Sequence, residues 1–173
     1  MRSGDLNSHD RTYNLTQYLD HLYDNRPPFM MVGESPGKHG CLKTGLPFTS
    51  ERATIDFPFF EQLGLRGIVG DKWEQAAGNV WTYFTEMNVF PILWNAYPFH
   101  PHGNSTPRSA DLKVGQTYLQ GLVEIFDGLP IVTAGKTAQG LLDRIGMEHV
   151  SVPYPNNAQQ SRFRERMDLL IAG

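Results

Sequence analysis

The chain has 173 residues, with 15 lysines and arginines against 18 aspartates and glutamates, giving a formal charge of −3 with histidines neutral. At 40% hydrophobic and 19% charged it carries enough apolar surface for one packed domain over residues 1–173, which excludes wholesale disorder. The lone cysteine, Cys41, excludes an internal disulfide framework, a four-cysteine zinc site and an iron–sulfur cluster held on this chain's cysteines. The opening segment holds no apolar stretch of signal-peptide length, and no later run approaches the ~18 residues of a membrane span, so a soluble, cytoplasmic protein without a membrane partner is expected. A near-neutral charge leaves nucleic acid open, because a narrow groove can be locally positive on an acidic molecule.

Leu15, Tyr18, Leu19 and Leu22 recur at helical spacing after Thr12 and Asn14, either of which suits a cap, and Pro27-Pro28 ends that helix. Phe29-Met30-Met31-Val32 reads as a short buried strand running into Gly33-Glu34-Ser35-Pro36-Gly37, and an irregular stretch extends to about Ser50. The aromatic-rich segment from Ile55 to about Leu65 is compatible with a helix. Another helix is predicted over 72–87, with Trp73, Ala76, Ala77, Val80 and Phe84 on one side and Gly78 weakening it. Ile92-Leu93-Trp94 is the second strand, and it gives way to Asn95-Ala96-Tyr97-Pro98-Phe99-His100-Pro101-His102, whose prolines forbid a continuing central strand. Helical spacing returns over 111–126, with Gly128 as the stop. Ile131-Val132-Thr133 is the third strand, and Ala134-Gly135-Lys136 turns into a helix through Leu142. A fourth strand, 149–152, ends at Pro153-Tyr154-Pro155-Asn156-Asn157, ahead of a last helix from about Ala158 to Ile171.

Short strands alternating with helices predict an α/β fold with three layers, α/β/α, around a short, mainly parallel four-stranded sheet. In such sheets ligands bind outside the carboxyl ends of the strands. The polar and proline-rich loops all follow a strand, so they are expected to meet at one edge.

Each loop supports a functional and an ordinary reading. Gly33 to Gly37 allows close approach of a ligand and offers one carboxylate and one hydroxyl, or it is a plain turn with a solvated Glu34. It is not a nucleotide-hydrolase phosphate loop, since Gly135-Lys136-Thr137 lacks the upstream glycine. Phe48 is placed to stack on a planar ligand or to plug the core beneath its loop. The Asn95 amide can donate and accept together and so read the polar edge of a base, or it can form the turn. His100 and His102 sit two apart without further ligands at metal-binding spacing, and His39, His100 and Cys41 suggest thiol chemistry only if brought together.

In this order the loops resemble those of the uracil-DNA glycosylase superfamily. Gly33-Glu34-Ser35-Pro36-Gly37 followed by Thr44-Gly45-Leu46-Pro47-Phe48 is similar to the first motif of its bacterial and archaeal branches. Leu93-Trp94-Asn95 with Tyr97-Pro98-Phe99-His100-Pro101 resembles the strand-end asparagine motif, and Ala134-Gly135-Lys136-Thr137-Ala138-Gln139 a DNA-contacting turn. The resemblance implies a monofunctional enzyme of base excision that flips a base out of single- or double-stranded DNA and hydrolyses its N-glycosidic bond. It implies no cofactor and no metal, and a monomer is expected. Phe48 would stack on the base and Asn95 would read it. Glu34 and Ser35 would attend the attacking water, with Gly33, Pro36, Gly37 and His100 forming the wall. Gly135 and Lys136 would touch a phosphate, Tyr154 would donate a hydrogen bond to a base oxygen, and Asn156 would bind substrate.

The chain departs from the pattern in three ways. Ser35 stands where several branches hold an aspartate or asparagine for the water. Tyr154-Pro155-Asn156 replaces the usual His-Pro-Ser, and a tyrosine cannot become an imidazolium. The cysteines of the cluster found in the branch with a similar first motif are absent. Beyond these three, the segment that normally supplies an apolar wedge reads Asn156-Asn157-Ala158-Gln159-Gln160. Two readings follow: a glycosylase with an altered base preference, or a catalytically silent module that binds modified or abasic DNA.

Overall fold

The computed structural model describes residues 8–37, 39–101, 103 and 105–172. Four strands, β1 (Met30–Gly33), β2 (Ile92–Asn95), β3 (Ile131–Ala134) and β4 (Val150–Val152), form one sheet in the order β2-β1-β3-β4, and every pairing is parallel. β1, β2 and β3 are buried at every position, as expected for apolar runs covered on both faces. The flanking helices complete the three-layer α/β/α fold: α1 (Ser8–Asn25), α2 (Cys41–Thr44), α3 (Glu51–Asp56), α4 (Gln75–Met87), α5 (Ser109–Ile125), α6 (Lys136–Ile145) and α7 (Gln160–Ala172). Among the described residues, no helix is long and apolar enough to cross a membrane.

The edge strand β2 is protected by α1. Tyr18, fully buried, accepts a hydrogen bond on its hydroxyl from Leu93 N–H at 2.8 Å, which satisfies a ladder group facing away from β1. Tyr18→Phe keeps the ring but strands that amide, so a loss of about 1–3 kcal/mol is expected in urea unfolding. An unchanged midpoint and slope would mean that the amide finds another partner.

The sequence expectations need correction in four places. Asn14 is no cap, because α1 starts at Ser8; it lies buried inside the helix. Its amide donates to Thr44 O (2.9 Å) and Arg66 O (3.0 Å) and accepts from Arg66 N–H (2.8 Å), clamping two loops onto α1. The aromatic segment splits at Pro58, which lacks the N–H a continuing helix needs: α3 precedes it, and a 3-10 turn, Pro58–Leu63, follows. The stretch before Ser50 contains the single turn α2. Trp73 lies ahead of α4, which begins at Gln75, and its indole packs on Gly78, where a Cβ would come within 1.8 Å of Trp73 Cζ2. Gly78 thus reflects a packing contact.

Candidate active site

With all strands parallel, the exits of β1, β2, β3 and β4 lie on one edge of the sheet. The first two exits are stitched together. Beyond the register pair Gly33 and Asn95, Ala96 N–H donates to Gly33 O (2.8 Å) and Tyr97 N–H to Glu34 O (3.0 Å). His100 Nδ1 donates to the carbonyl of buried Pro36 (2.9 Å). The Gly33–Pro36 segment is thereby held by β2's exit, and the backbone contact engages one of the two ring nitrogens of His100.

Gly33 is the floor of the site. A Cβ there would sit 2.2 Å from Phe48 Cζ and 3.3 Å from Asn95 Oδ1, so both side chains converge on the space that glycine leaves open. Phe48 is 7% exposed and Asn95 4% exposed. Phe48 is held in a left-handed conformation, φ 51°, with its carbonyl accepting from Trp81 Nε1 at 2.9 Å. A bulky residue adopts this region only where its surroundings enforce it. Nothing among the described residues hydrogen-bonds the Asn95 amide. With no such partner, the amide is left for a ligand in this space to complete its bonding.

The last two exits close the other side. The Tyr154 ring lies 6.4 Å from that of Phe48 between centroids, inclined by 36°. It packs on Gly135, whose φ of 91° requires glycine and whose Cβ would meet Tyr154 Cβ at 3.3 Å. Thr137, in the first turn of α6, donates its hydroxyl to Glu34 Oε2 at 2.5 Å, joining the β1 and β3 exits. Lys136 is exposed beside it. Ser35 is half-buried, and its hydroxyl has no hydrogen bond among the described residues.

A second carboxylate, Glu74, enters from the segment before α4. Its Oε2 lies where a Cβ on Gly37 would be 2.4 Å away, and one on Gly40 2.1 Å away. Burial pushes its carboxyl up to about 7. Tyr154 is pushed up to about 12, first by burial and then by the charges of Glu74 and Glu34, so its hydroxyl stays protonated at neutral pH. Cys41 rises to about 12, mainly through burial and further through Glu74, so its thiol stays protonated at neutral pH, which does not favour thiol chemistry.

These loops lie within the segment 21–171, which matches a family model described as the uracil DNA glycosylase superfamily. The chain belongs to that superfamily. No curated protein matches it. The fold brings Gly33, Glu34, Phe48, Asn95, Gly135 and Tyr154 into one neighbourhood.

Asn156, expected to bind substrate, lies on the turn after Tyr154. It is exposed, and its side-chain oxygen accepts from Gln159 N–H at 3.0 Å, shaping the turn into α7. His102 lies outside the described residues, and among those described no three His, Cys, Asp or Glu side chains gather as a metal site. Sequence reasoning missed Glu74, Thr137, Trp81 and Asn79. Asn79 is 5% exposed and donates to Pro155 O at 2.9 Å, fixing the loop that carries Tyr154. The signal for Asn79 and Trp81 was a polar atom on an otherwise apolar helix face; Glu74 read as an ordinary acid ahead of a helix.

Proposed function

We propose that the protein is a monofunctional DNA N-glycosylase that takes a uracil, deaminated or modified base out of the stack and hydrolyses its N-glycosidic bond, leaving an abasic site. The observation that carries this reading is the Asn95 amide, with no hydrogen-bond partner among the described residues, converging with Phe48 over Gly33. In this reading Phe48 stacks on the base, and Asn95 hydrogen-bonds its polar edge and stabilises the negative charge that grows on it as it departs. The sugar becomes oxocarbenium-like, and a carboxylate nearby stabilises it. Glu34 fills that role, since Thr137 engages Oε2 and fixes the carboxylate, leaving Oε1 for the sugar or the attacking water. Ser35 offers a hydroxyl to the same water. Tyr154 donates one neutral hydrogen bond toward the base in place of an imidazolium.

The test is incubation with oligonucleotides carrying uracil, hypoxanthine or bulky modified cytosines, followed by alkali. Strand breaks at one lesion are expected. Tight binding without breaks at any of them would instead identify the silent module, for which the replacement of an acidic or amide group by Ser35 speaks. Glu34→Gln is expected to slow single-turnover cleavage by about 100-fold, the scale of losing one charge-stabilising group. An unchanged rate would remove Glu34 from the chemistry.

A further inference from the structure

We infer that the cleft between α6 and α7 holds a single DNA strand leading out of the site, so that the protein takes its target base from single-stranded DNA. The identity of the target base rests on the glycosylase reading; the binding of the strand does not.

The cleft encloses about 690 Å³ and begins at Gly135, Lys136 and Tyr154, which it shares with the candidate site. Lys136, Arg162 and Arg166 line it, the two arginines one helical turn apart on α7. All three are exposed, and none has an ion-pair partner among the described residues. Elsewhere Arg52 is paired with Asp56, and Arg164 on α7 with Glu86. Glu165 is the one carboxylate among the lining residues. A groove of this composition suits a chain of phosphates.

Cations alone accept a duplex as readily as a single strand, and the other end of the sheet edge distinguishes them. At the edge opposite β4, Phe99, in the loop after β2, and Tyr118, on α5, are 45% and 49% exposed. With Tyr97 they form an edge-to-face run at 5.7 and 5.3 Å between centroids. Exposed aromatic faces bind bases only where those bases are unstacked. The turn after Tyr154 adds a further reason: Asn156, Asn157 and Ala158 are exposed, and none is a bulky apolar side chain able to fill the gap left in a duplex by an extruded base. Aromatic platform, slot and cationic cleft thus follow one another along one edge, from the β2 exit to the β4 exit.

Fluorescence anisotropy with an unmodified labelled oligonucleotide, single-stranded or annealed to its complement, tests this across a salt series. Single-strand binding is expected to be about tenfold tighter or better, the scale of one added base–aromatic stack. Arg162→Ala combined with Arg166→Ala is expected to flatten the salt slope by about 1.4, and the paired lysine substitutions to restore it. Phe99→Ala is expected to weaken binding by roughly tenfold with the slope kept. Duplex bound as tightly as the single strand, or an unchanged slope in the double alanine variant, would overturn the inference. Because the oligonucleotide carries no target base, failure to cleave any lesion would remove the glycosylase reading and leave this result standing.

Discussion

Asn95→Ala is expected to lower kcat on the preferred lesion by about 100- to 1,000-fold while changing affinity for undamaged DNA little. The reason is geometric. The amide lies at the end of β2, paired in register with Gly33 and 4% exposed, so its orientation is set by the sheet before any ligand arrives. A donor held in place beforehand stabilises developing charge without having to reorganise, which is why its loss falls on the chemical step. Asn95→Asp sharpens the test: it keeps the shape and the packing against Phe48 but replaces the donor by a second acceptor. It is expected to be at least as damaging as alanine on a base that presents an acceptor. Equal losses in cleavage and in undamaged-DNA binding for both variants would contradict a base-reading role.

Glu74→Gln is expected to stabilise the protein above neutral pH by about 1–3 kcal/mol and to do little near pH 5. The Glu74 carboxyl has an ordinary value of 4.5 and is held up to about 7 by burial against the Gly37 and Gly40 backbone. Between those two values the folded protein keeps a proton that the unfolded chain has released, so stability falls as pH rises through the window and stays reduced above it. Glutamine removes the charge and keeps the volume. The neighbouring Cys41 and Tyr154 are raised to about 12 and do not titrate in this range, so the pH-dependent difference reports on Glu74. Thermal melts from pH 5 to pH 8 measure it, at about 2–4 °C per kcal/mol for a chain of this size. A difference between variant and parent that does not change with pH would mean that the carboxylate is already solvated. A group that costs stability at neutral pH and lies against the first loop is typical of a site where function and stability pull apart.

Much of the fold was legible because it depends on local pattern. The strands appear as short apolar runs at Met30, Ile92, Ile131 and Val150, each followed by turn-forming residues, and alternation with helical spacing makes a parallel sheet the economical solution. Helix ends were less legible: Asn14 has a capping residue's chemistry, but it acts as a clamp between Thr44 and Arg66, 30 and 52 residues away. Within the site, strand register brings Asn95 beside Gly33, whereas Phe48 reaches it from a loop fixed by a left-handed backbone and the Trp81 hydrogen bond.

Residue type, order and strand-end position were determined by the sequence by itself: which side chains can stack, donate or carry charge, and that the loops holding them share one edge. Only the tertiary structure decided which groups are buried together. Glu74 becomes a near-neutral acid because the first loop covers it, Thr137 engages Glu34 across 103 residues of chain, and Asn156 accepts a hydrogen bond from Gln159 at α7's entrance. Burial and long-range contacts set the charge state and partners of a side chain, and neither is encoded in its immediate neighbours along the chain.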